Sequence, residues 1–145
     1  MRADSSDGTH STRDFTIAVN DLDESDVGAI TDDDDAADTV AEDAGVGTAV
    51  GITALASDED ATNNAITYAF AVGGNPDGLF AIDATSGVVT LAGALDYESA
   101  SSHVITVTAT SADGSSSSKA FTIAVGNVNE SGVSTITDAD GPDDG

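Results

Sequence analysis

The sequence predicts an all-β fold, a seven-stranded antiparallel Greek-key β-sandwich. Three observations predict it. Apolar residues alternate with polar or small ones along several short runs, and turn-forming residues separate those runs. No segment sustains the apolar period of a helix. Seven short strands joined by such turns fit two packed sheets with crossed connections.

The strands follow in order: TVAED at 39–43, AVGITALA at 49–56, AITYAFAV at 65–72, LFAID at 79–83, GVVTLAG at 87–93, HVITVTAT at 103–110 and FTIAV at 121–125. In the last, Phe121, Ile123 and Val125 share one face while Thr122 and Ala124 share the other. Turns are predicted at GGNPDG (73–78), DATSG (83–87) and SADGSSSS (111–118), the serine run serving as a soluble hairpin loop. His103 opens its strand on the parity of Ile105 and Val107, which predicts packing at the edge of the core rather than metal binding or catalysis. His10 sits in a polar tail and carries no signal.

A repeat sets the organisation. FTIAVNDLDES at 15–25 returns 106 residues later as FTIAVGNVNES at 121–131, with seven of eleven letters identical. The match extends back to Asp7-Gly8 against Asp113-Gly114 and forward to Val27, Ile30 and Thr31 against Val133, Ile136 and Thr137. Such a period is too long for a solenoid and suits a string of separate beads. Residues 1–25 are thus expected to be the tail of a preceding repeat, its last strand and linker. Residues 26–131 form one complete repeat with an acidic N-terminal insert, and 132–145 begin the next. Met1 then reads as an added start on an internal fragment. Phe15, Ile17 and Val19 lack a sandwich of their own, and two outcomes stand for them: mobility, or competition with Phe121, Ile123 and Val125 for the final-strand place.

Composition narrows the function classes. The 145 residues carry 27 acidic and 3 basic side chains, a formal charge of −24. A chain so charged repels itself, and it requires counter-ions, either a bound dication or high salt. It also repels phosphate backbones and anionic bilayers, so neither nucleic-acid binding nor membrane insertion is expected. There is no cysteine, hence neither a disulfide nor a thiolate metal site. No apolar leader or spanning run is present. Many Asp, Asn and Glu offer the oxygen ligands of Ca²⁺ rather than a zinc set. No nucleophile elbow occurs, and paired carboxylates without any Trp make a poor glycosidase, so the chain is not read as an enzyme. Eleven of the 27 acids lie between Asp21 and Asp43, including the run Asp32–Asp35; a solvated linker and a metal site both fit that run. The sequon Asn129-Glu130-Ser131 is read as coincidence.

The succession VAED, SDEDATNNAITY, LFAIDATSGVVTLAGALDYE, VITVTATSADG and FTIAVGNVNE resembles a cadherin-type repeat, across about residues 40–131. The kind meant is the tandem repeat of very large bacterial surface or secreted proteins, adhesins or RTX-type. The resemblance implies a cadherin/immunoglobulin-like sandwich that binds Ca²⁺ at both ends, each cluster shared with the adjacent repeat. It implies an upstream cluster of Asp21, Asp23, Glu24, Asp58, Asp60 and Asn63 or Asn64. It implies a downstream cluster of Glu42, Asp96, Glu98, Asn127, Asn129 and Glu130. Three departures stand out. Ser111 replaces the family's Asp, the linkers depart from the usual Asp-Asn ending, and 17 residues separate Glu24 from Glu42. That insert either holds extra calcium through Asp32, Asp34 and Asp38 or loosens the joint. The function expected is a calcium-rigidified spacer or adhesion module, extracellular or on the cell surface. Its partners are neighbouring repeats of the same chain, with homophilic contacts or polysaccharide beyond them. The alternative is a calcium-dependent, lectin-like domain for exopolysaccharide, as in a biofilm. Between the two linkers, the one bearing Asp21 and Asp23 is expected to bind calcium better.

Overall fold

The computed structural model describes residues 1–132 except 21, 23 and 61, so the expected start of a further repeat at 132–145 lies almost wholly outside the described residues. The strands are β1 (Arg2–Asp4), β2 (His10–Thr12), β3 (Thr31–Asp32), β4 (Thr39–Ala41), β5 (Ala49–Leu55), β6 (Ile66–Phe70), β7 (Phe80–Ile82), β8 (Val88–Leu91), β9 (Ser102–Ser111) and β10 (Ser116–Gly126). One sheet has the order β4-β10-β9-β6 and the other β3-β5-β8-β7, while β1 and β2 form a separate hairpin. None of the described residues forms a helix able to cross a membrane.

Alternation makes the core. Along β9, Ile105, Val107 and Ala109 point inward, and along β10 Phe121, Ile123 and Val125 do the same. Against them the second sheet presents Val50, Ile52, Ala54, Val89 and Leu91. The Ala56 amide donates to the Tyr68 hydroxyl at 3.1 Å, which ties the end of β5 to β6 in the opposite sheet. His103 packs edge-on to Phe80, ring centroids 5.8 Å apart, so its expected core-edge role holds.

Three features differ from expectation. Among the described residues the two sheets hold eight strand segments rather than seven, because the chain enters as two pieces, β3 on one sheet and β4 on the other. The break falls in the aspartate run and has a local cause. The Asp33 amide still donates to the Thr53 carbonyl at 2.9 Å, but Asp32 Oδ1 accepts the amides of Thr53 at 2.9 Å and Asp34 at 3.1 Å, so a side chain takes the place of the next backbone acceptor. The segment then crosses over a bulge in β5, where Gly51 has φ +79° and an added Cβ would lie 2.2 Å from the Ala37 carbonyl oxygen. Second, β4 pairs with β10 in parallel, and the sandwich is not wholly antiparallel. A strand reached by crossing between sheets, not by a hairpin, is free to do this. Third, Ser116–Ser118 belong to β10 rather than to a loop. The turn closes earlier, with the Ser111 amide donating to the Ser115 carbonyl at 2.9 Å, and Thr108 and Ser118 hydroxyls pair across the strands at 2.8 Å.

The N-terminal segment repeats that turn. Arg2 pairs with Thr12 and Asp4 with His10, the register of Thr108 with Ser118 and Thr110 with Ser116 at the same spacing of 106. The Ser5 amide donates to the Thr9 carbonyl at 2.8 Å as the Ser111 amide does to Ser115. Arg13 lies over the Phe15 ring at 5.5 Å, and Lys119 over Phe121 at 4.8 Å. Beyond this the copies part. Phe15, Ile17 and Val19 are 62%, 83% and 91% exposed and form no strand, while β10 holds the final-strand place. The bonds of the turn all lie within residues 5–9, whereas the strand needs an apolar face to bury.

Candidate metal centres

The downstream pole is built around Glu42, which follows β4 and is only 7% exposed. Its Oε2 accepts the Tyr97 amide at 2.7 Å and its Oε1 the Val128 amide at 2.6 Å, joining the start of the repeat to the 95–99 turn and to the chain leaving β10. Asp96 caps that turn, accepting from the Ser99 amide at 3.1 Å and the Ser99 hydroxyl at 2.8 Å. These bonds hold the Asp96 carboxyl below its usual range, the hydroxyl contributing most. Buried Leu95 and half-buried Tyr97 anchor the turn in the core. Carboxylate oxygens of Glu42, Asp96 and Glu98 come within 4.8 Å of one another. Ca²⁺ takes oxygens at about 2.3–2.6 Å, so two ligands on opposite sides of one ion sit about 5 Å apart, and this trio meets that limit. Asn127 donates to Glu98 at 3.2 Å, and Asn129 and Glu130 line the same open cleft of about 680 Å³. The sequence-derived downstream set is therefore brought together.

The upstream pole gathers Asp58, Asp60, Asn63 and Asn64. Asp58 Oδ1 accepts the Asp60 amide at 3.0 Å, and the Asn64 amide group donates to the Asp60 carbonyl at 3.0 Å. Asn63 takes a left-handed conformation, φ +56°, which turns its carbonyl toward the Ser111 hydroxyl at 3.0 Å. The same hydroxyl bonds Asp58 Oδ2. With the Asp60 amide it holds the Asp58 carboxyl below its usual range, the hydroxyl being the larger cause. Asp60 is 4% exposed, and its Oδ1 is buried without a hydrogen-bond partner. Asp113 Oδ2 is in the same condition. Buried carboxylate oxygens without donors suit a site made for a cation. Glu24 is exposed, and Asp21 and Asp23 lie outside the described residues. Asp113 escaped the sequence reading, where Asp113-Gly114 counted only as a marker of the repeat.

Asp32 and Asp34 serve the backbone. Asp34 Oδ1 accepts the Ala36 amide at 2.9 Å, as Asp32 accepts Thr53 and Asp34, so both carboxylates shape the crossing segment. Asp38 shares this region, and burial, followed by the charge of Asp32, pushes its carboxyl above the ordinary 3.8. The raised value means that the native state keeps a proton which the unfolded chain releases above pH 3.8. The Asp38 charge thus opposes folding at neutral pH. Asp38→Asn is expected to raise the melting temperature at pH 7, with the gain vanishing as pH falls to 3.8 and below, read by thermal melts of both proteins across pH. Asp58, Asp83 and Asp96 act oppositely: their lowered values stabilise fully above 3.8, and that stability is lost as pH falls through them.

The sequence profile of the cadherin domain matches residues 38–126. Mouse (Mus musculus) protocadherin Fat 4 is 42% identical over 72 residues, half of this chain and 1% of that protein. Mouse cadherin-20 is 41% identical over 93 residues, 63% of this chain and 12% of that one. The protocadherin gamma B4 extracellular domain superposes with a TM-score of 0.62 at 25% identity, covering 76% of this chain and 17% of its own. The chain spans a small part of each of these relatives.

Proposed function

Because this chain belongs to the cadherin domain family, we propose that residues 26–131 are one calcium-binding repeat of a longer array, flanked by the tail of one repeat and the start of another. Calcium at the two poles stiffens the joints, making the chain a spacer or adhesion module. The observation that carries this reading is the Glu42, Asp96 and Glu98 trio, whose oxygens fit one hard cation and whose cleft is finished by residues of the outgoing linker. When bound, the ion would supply the positive charge that three facing carboxylates otherwise lack. Glu42 would fix the linker through Val128, and Asn127, Asn129 and Glu130 would add oxygen ligands.

The partners are neighbouring repeats of the same chain, with homophilic contacts between arrays as the adhesive extension. An extracellular location is supported by a relative whose solved structure is of an extracellular domain. A large bacterial surface protein as parent rests on the tandem pattern and the −24 charge, whereas the two curated relatives above are mouse proteins. Within residues 26–131, Tyr68, Phe80 and Phe121 are buried and Phe70 and Tyr97 pack partly against the core, which favours the spacer over the polysaccharide-binding reading, since stacking sugars need exposed rings. Membership of the cadherin domain family supports reading the module as non-enzymatic.

Melting the chain in 1 mM Ca²⁺ (about the level suited to extracellular modules), in chelator and in molar KCl tests this. Calcium is expected to raise the melting temperature well beyond what KCl achieves. Equal stabilisation by KCl would reduce the acidity to general charge screening and overturn the specific sites.

A further inference from the structure

The β9–β10 turn carries a carboxylate whose place at the upstream pole the sequence did not foretell. Asp113 sits beside Gly114 (φ +99°), whose amide donates to the Ser111 carbonyl at 3.0 Å, and Asp113 Oδ1 accepts the Ser115 amide. The Ser115 hydroxyl in turn accepts the Val27 amide at 2.9 Å, which pins the turn to the first residues of the repeat, where the upstream linker arrives. Ser111, two residues before Asp113, bonds the Asp58 carboxyl through its hydroxyl, so the turn and Asp58 meet at one pole. The Oδ2 atom of Asp113 is buried and unpartnered, and so is Oδ1 of Asp60, a residue 4% exposed. Among the described residues no ion pair reaches Asp58, Asp60 or Asp113; Lys119, the sole Lys or Arg between 26 and 131, lies over the Phe121 ring.

Uncompensated carboxylates in such a place are costly unless a cation joins them. At the strand position that points into this pole the side chain is Ser111, whose single hydroxyl proton is shared between Asp58 and the Asn63 carbonyl. A hydroxyl brings no charge. We propose that Asp113 is a cation ligand of the upstream pole, acting with Asp58 and Asp60 and supplying from the turn the negative charge that residue 111 does not. The turn at Asp7-Gly8 has the same hydrogen bonds, with Asp7 Oδ1 accepting the Thr9 amide at 2.9 Å, so the same ligand is available one repeat earlier.

This inference rests on the calcium reading above, and one experiment separates them. Calcium chloride is titrated calorimetrically into the full chain and into Asp113→Asn, whose amide oxygen still accepts the Ser115 amide and preserves the turn. The variant is expected to bind calcium about tenfold more weakly at one class of sites, since affinity follows the number of charged ligands. Its melting temperature in chelator should not fall below that of the parent chain. Isotherms that superimpose would overturn the role of Asp113 while leaving the calcium reading intact. No calcium uptake by the parent chain would overturn both.

Discussion

Glu42→Ala is expected to destabilise the repeat by about 3 kcal/mol in chelator and to abolish calcium stabilisation at the downstream pole. Two effects combine. The carboxylate takes the Tyr97 and Val128 amides at 2.7 and 2.6 Å in a site 7% exposed, and its removal leaves two amides unpaired. Bonds to a charged acceptor contribute about 1.5–3 kcal/mol each, offset here by relief of repulsion from Asp96 and Glu98. For a chain of this size the loss corresponds to a fall of about 10 °C in melting temperature. Glu42→Gln separates the effects: it keeps an acceptor for one amide but brings no charge. Its melt in chelator should lie between the other two, with calcium dependence as weak as in the alanine variant. A Glu42→Ala protein that melts like the parent in chelator and still responds to calcium would contradict both the geometry and the site.

Gly51→Ala is expected to cost about 4 kcal/mol, enough to unfold a substantial fraction of the protein. Its φ of +79° already disfavours a side chain, and the new Cβ would meet Ala37 O at 2.2 Å and Ala37 C at 2.8 Å, both backbone atoms unable to swing aside. The comparison is Gly47→Ala, at φ +93° with nothing within 4 Å, where only the conformational cost of about 1 kcal/mol applies. Chemical denaturation of both variants measures the difference. Equal losses would mean that the 33–38 segment does not cross over β5 as described.

That crossing marks where the sequence ceased to be legible. FTIAV, HVITVTAT and AVGITALA announced β10, β9 and β5 because strands half-buried on one face alternate with period two. Residues 31–32 gave no such signal: two residues cannot show a period, and Asp ordinarily argues against a strand. The aspartate run looked like a linker or a metal site, and the structure uses Asp32 and Asp34 as acceptors for backbone amides, a role that charge counting does not reveal. The parallel pairing of β4 with β10 depends on which sheet the crossing reaches, a long-range fact absent from any local pattern.

The candidate sites divide similarly. Glu42, Asp96, Glu98 and Asn127 lie together at one pole, and Asp58, Asp60, Asn63 and Asn64 at the other. Asp113 was hidden because its importance comes from burial of one oxygen, not from its neighbours in the chain. The repeated Asp-Gly pair at 7–8 and 113–114 was the available signal, since a turn preserved in both copies down to its hydrogen bonds invites a question about what its side chain does.

The central claim is that calcium occupies two defined poles rather than screening an acidic surface. An NMR titration with CaCl₂, read amide by amide, tests it most directly. The account predicts saturable shifts at Tyr97 and Val128, whose amides bind Glu42, and at Asp58–Asn64 and Gly114–Ser115, with Asp34 and Ala36 in the crossing segment left unmoved. Shifts that grow without saturation and spread evenly over every acidic segment, Asp34 and Ala36 included, would contradict it.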